Sequence, residues 1–184
     1  KVLKTNGQWQ SVSLETVIPV LSSFNFGCLL IDKNNTKWMA SRKGVIGYNE
    51  NGGIFKVITE GADEGNLPSP DVRTIAIDNR NQLWIGTTKG LRVITNVGRF
   101  QTEDQMTANP IIILEDNLAQ ELLYEQFITD IAIDGENNKW IGTADSGLFL
   151  VSPNGQETKY HFTINNSPLP SNIINDITIN SVTG

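Results

Sequence analysis

The sequence predicts an all-β protein: a β-propeller arc of about three four-stranded antiparallel blades, with partial blades at both ends. Three observations carry this. Residues 75–94 recur closely at 131–151 and loosely at 30–48. The copies are registered by Trp38, Trp84 and Trp140, which lie 46 and 56 residues apart, and units of about 40–50 residues made of four short strands are the mark of propeller blades. Each copy also reads as three short strands joined by tight polar turns, Asp78-Asn79-Arg80-Asn81 and Lys89-Gly90 in the middle one.

Along the chain, Gln8-Trp9-Gln10-Ser11-Val12 alternates as a half-exposed strand does. Residues 1–25 are expected to be the end of a preceding blade. The first full blade spans 26–60, with strands over 26–32, 36–41, 45–49 and 54–59. Leu67-Pro68-Ser69-Pro70-Asp71 follows as a loop, since two prolines so close forbid a central strand. The second blade spans 72–115, with strands over 72–78, 82–87 and 90–95 and an outer strand over 110–114. Residues 116–127 form an insert. Leu118, Leu122 and Leu123 at helical spacing behind an Asp116 cap suggest a short helix, the alternative being a loop anchored by leucines. The third blade spans 128–163, with strands over 128–134, 139–143, 148–152 and 157–162. Residues 173–184 are expected to start another blade with an inner strand at 173–180. Three blades are fewer than the four to eight of closed propellers, so the chain is expected to be a piece of a larger one whose apolar flanks would make the isolated piece associate.

Composition narrows the function. The 184 residues carry a net charge of −6 and a sequence pI near 4.8, against the basic face nucleic acid requires. No run of 18 apolar residues is present, so no helical membrane span is expected. The single cysteine, Cys28, lies in an apolar run and reads as a small buried hydrophobe.

The repeated residues read as scaffold. Each Trp is expected to wedge between neighbouring sheets. Gly86 and Gly142 mark a bulge or a close backbone approach, where the first copy has Ala40. Asp32, Asp78 and Asp134 open turns rich in carboxylate and amide oxygens. Calcium would be their functional reading, but no loop supplies the further acidic ligand, and an Asx-capped turn is expected. His161 is the only histidine, so no zinc site is expected. In Lys159-Tyr160-His161-Phe162, Tyr160 and Phe162 should face inward and His161 outward. Cys28 with His161 would be the sole nucleophile–base pair, and nothing around Cys28 is electropositive. Glu103-Asp104 and Glu115-Asp116 read as solvated acids, and Asn34-Asn35-Thr36 and Asn165-Asn166-Ser167 match the glycosylation triplet only weakly. No catalytic residue, metal ligand or cofactor is expected, and the ligand-binding residues are unknown from sequence.

The pattern Leu67-Pro68-Ser69-Pro70-Asp71-Val72, then Ile75-Ala76-Ile77-Asp78, Leu83-Trp84-Ile85-Gly86-Thr87 and Gly90-Leu91 resembles the two-component regulator propeller repeat. Residues 131–148 carry it again, and 30–45 in part. Within that superfamily, residues 111–133 and 142–180, notably Thr143-Ala144-Asp145-Ser146-Gly147-Leu148 and Tyr160-His161-Phe162, resemble the PorZ-like proteins of type IX secretion. That resemblance implies a non-catalytic propeller at the cell surface or in the periplasm, binding protein or glycan/lipopolysaccharide. The alternative it carries is the periplasmic ligand-sensing propeller of a hybrid histidine kinase. An enzyme such as a lyase on the same scaffold is a third reading, which fold alone does not decide. The resemblance transfers no site residue, because the matching positions are scaffold.

Overall fold

A computed structural model describes residues 2–4, 6–13, 25–115 and 117–180. The Asp116 cap, most of the span between 13 and 25, and residues 181–184 lie outside the described residues.

The strands are β1 (Val2–Leu3), β2 (Trp9–Gln10), β3 (Phe26–Ile31), β4 (Lys37–Ser41), β5 (Gly44–Asn49), β6 (Ile54–Ile58), β7 (Val72–Ile77), β8 (Leu83–Thr87), β9 (Gly90–Ile94), β10 (Ile112–Glu115), β11 (Leu118–Glu121), β12 (Ile128–Ile133), β13 (Lys139–Thr143), β14 (Leu148–Val151) and β15 (Thr158–Phe162). They form antiparallel meanders: β3-β4-β5-β6, β7-β8-β9 and β12-β13-β14-β15, with β1-β2 and β10-β11 as separate hairpins. The first strand of each meander lies beside that of the next, β3 on β7 and β7 on β12, so the sheets fan out as consecutive propeller blades. Trp9–Gln10 pairs with Val2–Leu3.

Two apolar cores hold the fan together, one between each pair of adjacent sheets. Trp38, Ala40 and Val45 of the first sheet meet Ile75, Leu83 and Ile85 of the second, with Phe100 and Met106 closing the outer end. Trp84, Leu91 and Val93 of the second meet Ile128, Ile131, Ile141 and Val151 of the third. Strand periodicity explains why: every second residue of each strand points to one neighbour. Trp140 faces away from these cores and is half-buried, stacked on Phe162 at 5.9 Å. At the opposite flank Phe26, Leu29 and Ile31 of β3 are exposed.

Each innermost strand breaks register near its start, between Phe26 and Leu29, Val72 and Thr74, and Ile128 and Asp130. In the second and third sheets the bulge lies across from Gly86 and Gly142. A Cβ on Gly86 would stand 2.6 Å from Ile128 Cγ2 and 2.7 Å from Thr74 Cγ2, and one on Gly142 would stand 2.7 Å from Ile174 Cγ2. The glycine is therefore where the next innermost segment seats a β-branched side chain. Gly86→Ala should cost about 1–3 kcal/mol through overpacking, read by urea unfolding. A loss under about 0.5 kcal/mol would show that the blades slide apart at no cost.

Three expectations are corrected. Leu118–Glu121 is a strand, not a helix. Asn117 takes a left-handed φ of 62°, a conformation tight hairpin turns favour, and the register Ile112↔Glu121 to Glu115↔Leu118 follows from it. The second sheet has three strands rather than four. Asn109 exchanges two backbone hydrogen bonds of 2.9 Å with Val93, but the ladder goes no further: Ile111, the next residue placed to pair, instead accepts from Leu122 N–H at 2.8 Å, and the chain turns away into the β10–β11 hairpin. Residues 173–180 form no strand; Ile174 N–H donates to Thr143 O and Ile177 N–H to Asp130 Oδ2, which positions the segment without building a ladder.

Candidate functional site

The repeated polar residues are consumed by the scaffold. In each sheet the aspartate Oδ1 accepts the backbone N–H groups two and four residues on: Asp32 from Asn34 and Thr36, Asp78 from Arg80 and Gln82, Asp134 from Glu136 and Asn138, all at 2.8–3.0 Å. Oδ2 accepts the indole N–H of the repeat tryptophan, Trp38 at 3.0 Å, Trp84 at 3.3 Å and Trp140 at 3.2 Å. The turn closes over Asn35, Asn81 or Asn137, each at positive φ, which asparagine tolerates. These are Asx turns latched to a tryptophan, with both carboxylate oxygens occupied by donors. Among the described residues no cluster of His, Cys, Asp or Glu is gathered for a metal. At the other end of the same strands, the Ser41, Thr87 and Thr143 hydroxyls donate to the carbonyls of Gly44, Gly90 and Gly147.

One latch is elaborated between sheets. The Lys139 ammonium is fully buried and donates to Asp78 Oδ2 at 2.9 Å, Asn137 O at 2.9 Å and Pro153 O at 2.7 Å. It also lies 4.5 Å over the Trp84 ring. Asn137 binds Asp78 through its amide and accepts from Asn79 N–H. Burial pulls the lysine pKa down, yet three oxygens and a ring face are an ammonium's surroundings, and the pair is charged. Burial alone would raise the Asp78 carboxyl; Lys139 and the Gln82 N–H outweigh it, leaving Asp78 below its ordinary value. Asp134 is likewise lowered, its burial outweighed by the Asn138, Trp140 and Glu136 donors. Both carboxylates thus lend stability that is complete above the ordinary aspartate pKa and is lost as pH falls through their depressed folded values. The melting temperature should hold from pH 7 to 5 and fall below pH 4. A flat profile down to pH 2 would contradict the latches.

A cleft is found where the repeat breaks down. The ten residues by which the second tryptophan spacing exceeds the first build the β10–β11 hairpin, whose base faces β14 and β15 across an open cleft of about 550 Å³. Tyr124, 59% exposed, stands between Leu123 and Glu125, both at positive φ (54° and 57°). Opposite it the His161 ring stacks on Phe149 at 3.9 Å and 11°, with Nε2 donating to Ser146 O at 2.6 Å. Gln126 Oε1 is buried there without a partner. Glu121 is held by Arg92 at 2.8 Å.

His161 faces outward as expected, but Tyr160 is 60% exposed rather than inward, while Phe162 is half-buried on Trp140. Cys28 is distant from this cleft in its contacts: Ile75 N–H donates to its Sγ at 3.3 Å across the first inter-sheet seam. Burial pushes its thiol pKa up, opposite to what a nucleophile needs. Cys28 and His161 therefore have different neighbours and form no pair. Tyr124 and Gln126 went unnoticed in the sequence because they belong to the insert, while Phe149 and His161 come from the third sheet. The surplus spacing between Trp84 and Trp140 was the available signal.

With this geometry in place, the chain can be set beside known proteins. The sequence pattern described as "Two component regulator propeller" matches residues 66–89. Residues 66–89 carry a two-component regulator propeller repeat. The match covers the Pro-rich loop, β7, β8 and the Asp78–Trp84 latch. PorZ, a bacterial surface component of the type-IX secretion system of Porphyromonas gingivalis, is similar in structure with a TM-score of 0.70 and 25% identity over 81% of this chain. The extracellular domain of a putative one-component system from B. thetaiotaomicron has a TM-score of 0.66 and 18% identity over 92% of the chain, which shows the fold alone. A histidine kinase of Formosa agariphila is 24% identical over 102 residues, 55% of this chain. The chain spans about a fifth of the two structures, 22% and 23%, and 7% of the kinase. A streptogramin B lyase shares the fold at TM-score 0.53 and 13% identity.

Proposed function

We propose that this chain is a non-catalytic propeller scaffold of an exported protein, in the periplasm or at the cell surface, that binds a protein or a glycan such as lipopolysaccharide. The similarity to PorZ carries this reading, because it combines the 25% identity with a TM-score of 0.70. It is supported by the latches, which tie up the repeated carboxylates in turns, and by the raised thiol of Cys28. A second reading, a ligand-sensing propeller of a two-component kinase, is favoured by the Formosa agariphila histidine kinase.

The test is capture from solubilised outer membrane on the immobilised protein, followed by identification of what is retained. Retention of lipopolysaccharide or one surface protein supports the scaffold reading. Retention of neither, with ligand-dependent phosphorylation in the protein that carries this chain, selects the sensor. Turnover of a glycan or ester that is lost on Cys28→Ser or His161→Ala would overturn the non-catalytic reading.

A further inference from the structure

We propose that the cleft between the β10–β11 hairpin and β14–β15 is a subsite for a neutral sugar ring of a glycan, an inference that rests on the glycan-binding reading above and gives it residues. The cleft volume of about 550 Å³ falls within the roughly 300–1,000 Å³ of small-molecule sites. Its walls combine the two things a pyranose asks for. One is a flat aromatic surface for the ring's C–H face. The Phe149–His161 stack is planar to 11°, and Tyr124 projects from a turn whose flanking residues are both held at positive φ. Left-handed Leu and Glu are costly unless the surroundings impose them, and their effect here is to keep a tyrosine in solvent.

The other requirement is hydrogen-bonding groups that are not already satisfied. Gln126 Oε1 is a buried acceptor with no donor, which costs free energy until something donates to it. A sugar hydroxyl is such a donor. His161 gives its Nε2 proton to Ser146 O, the tautomer in which Nδ1 can accept. Charge selects the class of glycan. Among the described residues no lysine or arginine lines the cleft, and the one carboxylate there, Glu121, is bound to Arg92. Phosphate and sulfate groups find no counter-charge there. The site lies between the insert that departs from the repeat and the outer strands of the third sheet, and it uses none of the latch residues.

The experiment is an NMR titration of the protein with maltohexaose, cellohexaose, mannohexaose and laminarihexaose, and with a heparin hexasaccharide as the anionic control. Saturable shifts of the Tyr124 and His161 ring signals are expected with at least one neutral oligosaccharide and not with heparin. Tyr124→Ala and Gln126→Leu should each weaken that binding at least about tenfold, while the other inter-sheet signals and the melting temperature stay in place. Gln126→Leu keeps the volume and removes the side-chain amide with its acceptor. Sugar binding that both variants leave unchanged would overturn the cleft assignment and leave the glycan reading standing. Absence of binding to every neutral oligosaccharide would overturn both, leaving a protein partner. Binding of heparin alone would overturn the choice of a neutral ring.

Discussion

Lys139→Met should destabilise the protein by about 3–5 kcal/mol, the cost of leaving one partner of a buried ion pair alone. Lys139 is 0% exposed and Asp78 is 2% exposed. With the ammonium gone, Asp78 keeps its turn donors and the Trp84 indole, but its charge stays in the inter-sheet seam without a counter-ion. The carbonyls of Asn137 and Pro153 lose their donor at the same time, and methionine fills the space over Trp84 without replacing any of these bonds. Urea unfolding followed by fluorescence measures the loss. A change below about 1 kcal/mol would mean that water reaches Asp78 and that the seam is open. The equivalent lysine of the first sheet, Lys37, pairs instead with Glu50 beside it at 2.8 Å. Replacing it should cost less, because that pair is partly solvated.

Trp84→Ala should cost about 3–5 kcal/mol, the range for emptying a large buried aromatic site. The side chain is 1% exposed. It packs with Leu91, Val93, Ile128 and Ile141, caps Lys139 and holds the Asp78 latch, so its removal opens a cavity in the seam and takes one of three donors from Asp78 Oδ2. Trp38, at 0% exposed and edge-on to Phe100 at 5.2 Å, should behave alike. Trp140 should not. It is equivalent in sequence but lies half-buried on the outward face of the third sheet, and Trp140→Ala should cost roughly 1–2 kcal/mol. The ranking Trp84 and Trp38 above Trp140 separates wedges between blades from one on a free face, and equal losses at all three would contradict this arrangement of the sheets.

The repeat made the blades legible because short apolar runs, turn residues and a tryptophan at each second strand all agree at residues 75–94 and 131–151. Strand limits differ from expectation by a residue or so for that reason. The insert was not legible. Leu118, Leu122 and Leu123 fit a helical stripe as well as they fit a strand and a turn, and the decision lay with Asn117 at the hairpin tip and with Ile111, whose carbonyl takes Leu122 N–H rather than continuing the ladder of the second sheet. Lys139 could not be placed either: a lysine at the start of a strand is ordinarily solvated, and only the arrangement of two sheets puts it against Asp78 and Trp84. The same holds for the cleft, which brings Gln126 and His161 together from opposite sides of the third sheet's meander.

The most direct test of the scaffold claim is a ¹H–¹⁵N spectrum of the four tryptophan indoles, recorded in deuterium exchange with and without calcium. If Asp32, Asp78 and Asp134 serve as turn latches, the Trp38 and Trp84 indole protons exchange slowly, Trp140 exchanges at an intermediate rate, and Trp9, 66% exposed, exchanges at once. Calcium at millimolar concentration then moves none of them. Rapid exchange of Trp38 and Trp84, or a saturable calcium shift of the latched indoles, would contradict the account, because the aspartates would then be ligands waiting for an ion rather than the acceptors that hold each tryptophan to its turn.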